Sequence, residues 1–181
     1  MVRRLLVLPL LLLAVVARAD DFVESSTRGM PGSKGMELRL QHPADWKRIE
    51  SEDPAALIEL RGPEGDVSGI LQVARGRRRL GADAQCEPDR ARSMLQHMAS
   101  DEADARVTDL FARSVDGRPG YALRYERANA PGYLRVRSVI VCLKDTRVLV
   151  SCGASSPKKA ALREIEPVCE RVLESVRISE E

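Results

Sequence analysis

The stretch from Val107 to Cys152 leaves this chain little freedom. Val107 to Val115, Tyr121 to Arg127, Leu134 to Leu143 and Arg147 to Cys152 all read as strands. Only Asp116-Gly117-Arg118-Pro119-Gly120, Asn129-Ala130-Pro131-Gly132 and Lys144-Asp145-Thr146 separate them. Connections this short cannot hold the crossover that parallel strands need, so the four must run antiparallel. A four-residue loop at 129–132 sets Arg127 against Leu134, Arg124 against Arg137 and Glu126 against Arg135.

The flanks are consistent with one α+β domain. Met36 to Leu40 alternates apolar and polar residues, and Ala56 to Leu60 and Ser68 to Ala74 are two more strands. Pro43 and Asp45 turn the chain, and Arg75-Gly76-Arg77-Arg78-Arg79 reads as a basic loop. Pro88 to Ala99 reads as a helix, with Ala91, Met94, Leu95, Met98 and Ala99 on one stripe. A closing helix starts with Ser156 as N-cap and Pro157 at its first position, and buries Leu162, Ile165, Cys169, Val172 and Val176. Pro167 predicts a kink there, or two short helices. Residues 20–35, rich in Ser and Gly, read as a flexible leader.

The first 19 residues follow the pattern of a secretory signal. Arg3-Arg4 supplies the positive start, Leu5 to Val16 the apolar core, and Ala17-Arg18-Ala19 the small residues that signal peptidase requires. The apolar run is shorter than the roughly 20 residues that span a bilayer, so no transmembrane anchor is expected in the mature form. The expected location is periplasmic or secreted.

Cleavage changes the charge balance. The chain carries 29 basic and 27 acidic side chains, and loses Arg3, Arg4 and Arg18 with the signal, which leaves a net charge of −1. Neither that charge nor an exported location suits nucleic acid as a partner. One Trp, three Tyr and two Phe leave little for the aromatic platforms that sugars or single strands need. His42 and His97, the only histidines, lack neighbours at metal-ligand spacing and read as solvated. There is no nucleophile elbow and no phosphate-cradling glycine loop. No catalytic residue, metal site or cofactor is expected, and an unrecognised hydrolase is the weakest alternative.

The order of elements resembles that of the PsbP-like domains. The likeness rests on Pro43-Ala44-Asp45-Trp46 after a first strand, the Val115 to Tyr121 turn, and a closing helix ending Leu173-Glu174-Ser175-Val176. It covers about Met36 to Ile178, with the domain placed at 36–179. The resemblance implies a single antiparallel sheet sandwiched between helices. It also implies a domain that binds a partner or assists assembly in the cell envelope and does no catalysis. It transfers no site residue.

Two residue sets remain. Cys86, Cys142, Cys152 and Cys169 are an even number in an oxidising compartment, which favours two disulfides. If Asp145-Thr146 is the turn, Cys142 pairs with Leu149 and points away from Cys152. A helix running back from Pro157 would bring Cys169 beside Cys142, which predicts Cys142–Cys169 and Cys86–Cys152. The second set is arginine: Arg77, Arg78 and Arg79 in the basic loop, and Arg124, Arg135 and Arg137 on the hairpin. Val136 must turn inward, so these three are expected to face solvent as a partner surface. Alternatively they would hold a small anionic ligand or lipid headgroup. Mass spectrometry of the exported protein is expected to give a mature N-terminus at Asp20; an intact Met1 would contradict the signal.

Overall fold

The computed structural model describes residues 21–77, 105–129, 132–143 and 146–180. The strands expected between Val107 and Cys152 are present and longer than their apolar blocks. They are β6 (Ala105–Val115), β7 (Arg118–Asn129), β8 (Gly132–Cys142) and β9 (Thr146–Ser156), each antiparallel to the next. The β7–β8 register pairs Arg124 with Arg137, Glu126 with Arg135 and Arg127 with Leu134. At the β6–β7 turn Asp116 and Gly117 both carry positive φ, 51° and 74°. That is the requirement of a type I′ turn, which Asp-Gly meets at least steric cost. The Asp116 carboxylate accepts the amide of Ile178 at 2.8 Å, which ties the turn to the end of the chain.

Upstream lie β1 (Phe22–Ser26), β2 (Met36–Pro43), β3 (Lys47–Arg48), β4 (Ala56–Arg61) and β5 (Ser68–Arg77), and β10 (Arg177–Glu180) closes the chain. They form two sheets rather than one: β1-β2-β10, and β3-β4-β5-β9-β8-β7-β6. The single sheet between helices is therefore corrected to an α+β arrangement dominated by strands. The extra sheet arises because β2 finds partners on both sides in short segments without periodicity. Thus Phe22–Ser26, expected inside a flexible leader, pairs along β2 from Pro43 to Arg39. Arg75 and Arg77, expected in a loop, are ladder residues of β5 opposite Val148 and Thr146. Arg78, Arg79, Cys86, His97 and the helix expected at 88–99 lie outside the described residues, as do the signal and its cleavage site.

The core lies between the small sheet and one face of the large one. Leu38 and Leu40 of β2 meet Val139 and Val141 of β8 and Val148 and Val150 of β9, all at most 1% exposed. Trp46 closes one end of this core against the backbone of Gly69. A Cβ there would overlap the indole ring, so only glycine admits the contact. A second cluster, Leu123 and Ile140 with Leu110, Tyr125 and Leu149, occupies the opposite face of the large sheet.

The closing helical segment is in two pieces. A 3-10 turn (Lys159–Arg163) precedes α1 (Ile165–Glu174). The break falls at Glu164, ahead of Pro167, which occupies the first turn of α1, where the missing N–H has no intrahelical acceptor to lose. Ser156 is the last residue of β9 rather than a helix cap, although its hydroxyl accepts the amide of Lys158 at 3.1 Å.

Cys152 is bonded to Cys169, which corrects both expected pairings. The expected turn was misplaced by one residue: Cys142 pairs with Arg147, and the Leu143 amide donates to Thr146. This leaves Cys142 and Cys152 on opposite faces, as expected. The helix travels less far back than a start at Pro157 implies. Cys169 falls in its second turn, over Cys152, which shares the core face with Val148 and Val150. Cys142 is also disulfide-bonded. The cysteines at 152 and 169 are 17 residues apart. Closing a loop of that size contributes about 3 kcal/mol, so the Cys152→Ala/Cys169→Ala variant is expected to lose about that much in urea unfolding. Non-reducing peptide mapping is expected to recover a peptide linking Cys152 to Cys169; one linking Cys142 to Cys169 would contradict the pairing.

Candidate arginine-lined binding groove

Alternation carried through the strand registers places Arg113, Arg124, Arg135 and Arg137 on the core face of the large sheet, the face that α1 covers. Arg135 and Arg137 are therefore not solvent-facing: their side chains are 11% and 20% exposed. Val136 does point the other way, but that face is covered too, and Val136 is buried there.

Helix α1 meets these arginines with Glu166 and Glu170. The two acids are four residues apart and so lie on one side of the helix, bordering its apolar stripe. Glu166 binds both Arg135 and Arg137, the latter at 3.1 Å. Glu170 binds both Arg137 and Arg113, the latter at 3.2 Å. From the hairpin side, Glu126 accepts Arg135 Nη2 at 2.7 Å and Lys159 Nζ at 3.0 Å. Four cations and three carboxylates thus form one lattice between helix and sheet.

Arg124 stands apart. It pairs in register with Arg137 on one side and Asp109 on the other. Among the described residues no carboxylate lies within ion-pair distance of its half-buried guanidinium. Its neighbour Arg137 has an Nε that is buried without an acceptor.

Two clefts open along this face, the first beside α1 and the second beside the 3-10 turn that precedes it. The first, of about 200 Å³, is lined by Phe111, Arg113, Ala122, Arg124, Arg137 and Leu173, with Asp109 and Glu170. The second, of about 190 Å³, is lined by Arg106, Glu126, Tyr133, Lys159 and Leu162 among others. Each cleft has one exposed aromatic side chain, Phe111 at 48% and Tyr133 at 37%. The groove borders β6, an edge strand of the large sheet among the described residues. Of the other arginine cluster only Arg77 is among the described residues, and its backbone is not brought here. Arg77 pairs with Thr146 at the start of β9, whereas Arg137 and Arg135 pair with Cys152 and Ala154 towards its end.

No family model matches the chain, and no curated protein matches it. Solved structures do. The cyanobacterial PsbP protein CyanoP of Synechocystis sp. PCC 6803 superposes with a TM-score of 0.59 at 15% identity, over 91% of this chain and 96% of that one. The fold is PsbP-like. LpqN of Mycobacterium tuberculosis aligns at 0.58 and 12% identity, over 87% of this chain and 91% of its own. The Saccharomyces cerevisiae Ran-binding protein Mog1p aligns at 0.57 and 9%, over 87% and 95%.

Within this PsbP-like fold, Glu166, Glu170, Lys159, Asp109 and Phe111 escaped the sequence reading. The spacing of Glu166 and Glu170 beside the apolar stripe of α1 was the available signal. His42, expected to be solvated, is buried, with Nε2 2.8 Å from the Ser25 hydroxyl. Alternation along β2 puts it on the same side as Met36, Leu38 and Leu40.

The lattice also sets an acid limit on stability. Burial pushes the Glu126 carboxyl up, but the Lys159 hydrogen bond and then the charge and hydrogen bond of Arg135 outweigh it and hold the group below its usual range. A carboxylate with a depressed folded pKa stabilises fully above the unfolded value of about 4.3, and that contribution is lost as pH falls through the folded value. The Glu126→Gln variant is therefore expected to show a shallower loss of stability between about pH 5 and pH 3 in urea titrations. Removing one partner from a largely buried ion lattice leaves uncompensated charge, so Arg135→Ala is expected to cost about 3 kcal/mol. Arg124→Gln breaks no ion pair and is expected to stay within about 0.5 kcal/mol of the parent. Equal losses in the two arginine variants would mean that the lattice does not anchor α1.

Proposed function

We propose that this chain is an exported, non-catalytic domain that binds a protein partner or assists assembly in the cell envelope. The observation that carries the reading is the groove. Phe111 and Tyr133 stand exposed over two clefts that both border β6, the first next to α1 and the second next to the 3-10 turn. Exposed aromatics at a rigid concave face are what partner surfaces use to gain contact area at low entropic cost. Two of the fold neighbours are named for compatible roles, LpqN for involvement in cell envelope biogenesis and Mog1p for Ran binding. The charged side chains on the sheet face are mostly committed to one another, which suits a structural scaffold better than acid–base chemistry.

The second reading is a small anionic ligand or lipid headgroup on the arginine face. Arg124 favours it, because its guanidinium alone of the three hairpin arginines is not committed to the lattice. In vivo photo-crosslinking decides between the two. A photoreactive residue at Phe111 is expected to yield discrete protein adducts. The same group at Val23, equally exposed on β1, should not yield them. Identical adducts from both positions, or only lipid from Phe111, would overturn the protein-partner reading.

A further inference from the structure

We propose that the cleft around Arg124 is a carboxylate-binding site that takes an acidic group carried next to an apolar one. The inference rests on the reading that the groove is the binding face, and it names the chemistry that the groove selects.

Three observations converge. The first is two neighbouring donors without acceptors among the described residues: the guanidinium of Arg124, and the buried Nε of Arg137 beside it in register. Like charges directly opposite on adjacent strands are unfavourable, and an anion between them reverses the sign of that interaction. The second is a template within the same cleft. Glu170 already inserts a carboxylate between Arg113 and Arg137. An incoming carboxylate at Arg124 would extend the same alternation by one member. The third is the cleft lining itself. Arg113 and Arg137 are already paired with Glu170 and Glu166, so Arg124 brings one positive charge without an ion pair among the described residues, beside the carboxylates of Asp109 and Glu170. One negative charge neutralises Arg124, whereas a dianion would be repelled by the two resident carboxylates. Phe111 and Leu173 supply apolar walls at the same opening, so the favoured group has hydrocarbon next to its carboxylate.

A free small acid and an acidic side chain of a partner segment share this chemistry. The test is an NMR titration that follows the Arg124 Nε–H resonance at constant ionic strength. The probes are propionate, a blocked leucyl-glutamyl dipeptide, its leucyl-glutaminyl counterpart, and inorganic phosphate. Propionate and the leucyl-glutamyl probe are expected to shift the resonance saturably. Arg124→Gln should abolish the accompanying shifts in the β6 and β7 amides. Arg106→Gln, in the neighbouring cleft, should leave them intact. Binding of the leucyl-glutamyl probe about tenfold tighter than propionate supports a carboxylate presented by a partner segment, because burying a leucyl side chain is worth at least that factor. Equal binding supports a free acid as the source. Absence of saturation, equal binding of the glutaminyl probe, tighter binding of phosphate, or amide shifts that persist in Arg124→Gln would overturn the proposal. Should Arg124→Gln fail to fold, Arg124→Lys, which keeps the charge but loses the planar fork, must weaken binding in its place. The crosslinking at Phe111 is independent of these probes, so failure of the titration leaves the partner reading standing.

Discussion

Helix α1 is held to the large sheet by two unlike contacts, and the remaining architecture depends on them. On one flank a disulfide between two fully buried cysteines fastens the helix to β9. On the other, glutamates from the helix interleave with arginines from two strands, β6 and β8. The apolar flank supplies cohesion. The ionic flank supplies placement, because carboxylate and guanidinium must meet at hydrogen-bonding distance or leave buried charge uncompensated. A helix seated by apolar contacts alone could slide along the sheet; one whose acids span fixed arginines cannot do so without separating several pairs together.

This has a cost that the clefts make visible. Arginines on adjacent strands each call for a counter-charge, and the two glutamates of α1 supply it to Arg113, Arg135 and Arg137 but not to every arginine on the face. Arg135 and Arg137 on β8 and Arg113 on β6 are neutralised by α1, while Arg124 on β7, between them, receives no carboxylate from it. The groove is therefore part of the same charged surface that seats the helix, at the arginine the helix leaves unpaired. Binding face and structural lattice are continuous, and a ligand there would meet side chains already aligned by the lattice.

Strand order and hairpin register along 107–152 were legible because turn chemistry and alternation agree there. Arg124 opposite Arg137 and Glu126 opposite Arg135 followed from loop length alone. The side on which the arginines lie was not legible from Val136. That residue shows only that one face is apolar, and here both faces are covered. The deciding signal sat elsewhere. Val148, Val150 and Cys152 share one side of β9, and Cys169 lies within the apolar stripe of α1, so both cysteines belong to the core side. Travel along the helix was the weaker guide, because the 3-10 turn consumes chain before α1 begins. The three-stranded sheet was illegible for a different reason. Phe22–Ser26 and Arg177–Glu180 are strands only because β2 offers them unsatisfied backbone groups on both sides, and no local pattern announces that.

The bond from Asp116 to the Ile178 amide joins elements that the two sheets would otherwise keep separate. Asp116 sits at the tip of the hairpin on the far margin of the large sheet, while Ile178 belongs to the last strand of the small one. Arg177 and Arg118 lie at the outer edge of ion-pair range of the same carboxylate, at 4.0 and 3.7 Å. Fraying normally begins at chain ends and sheet margins, each opening independently and at little free-energy cost. Here an end and a margin share one acceptor, so neither can open without disturbing the other. Two regions that would ordinarily open independently are thereby coupled to each other.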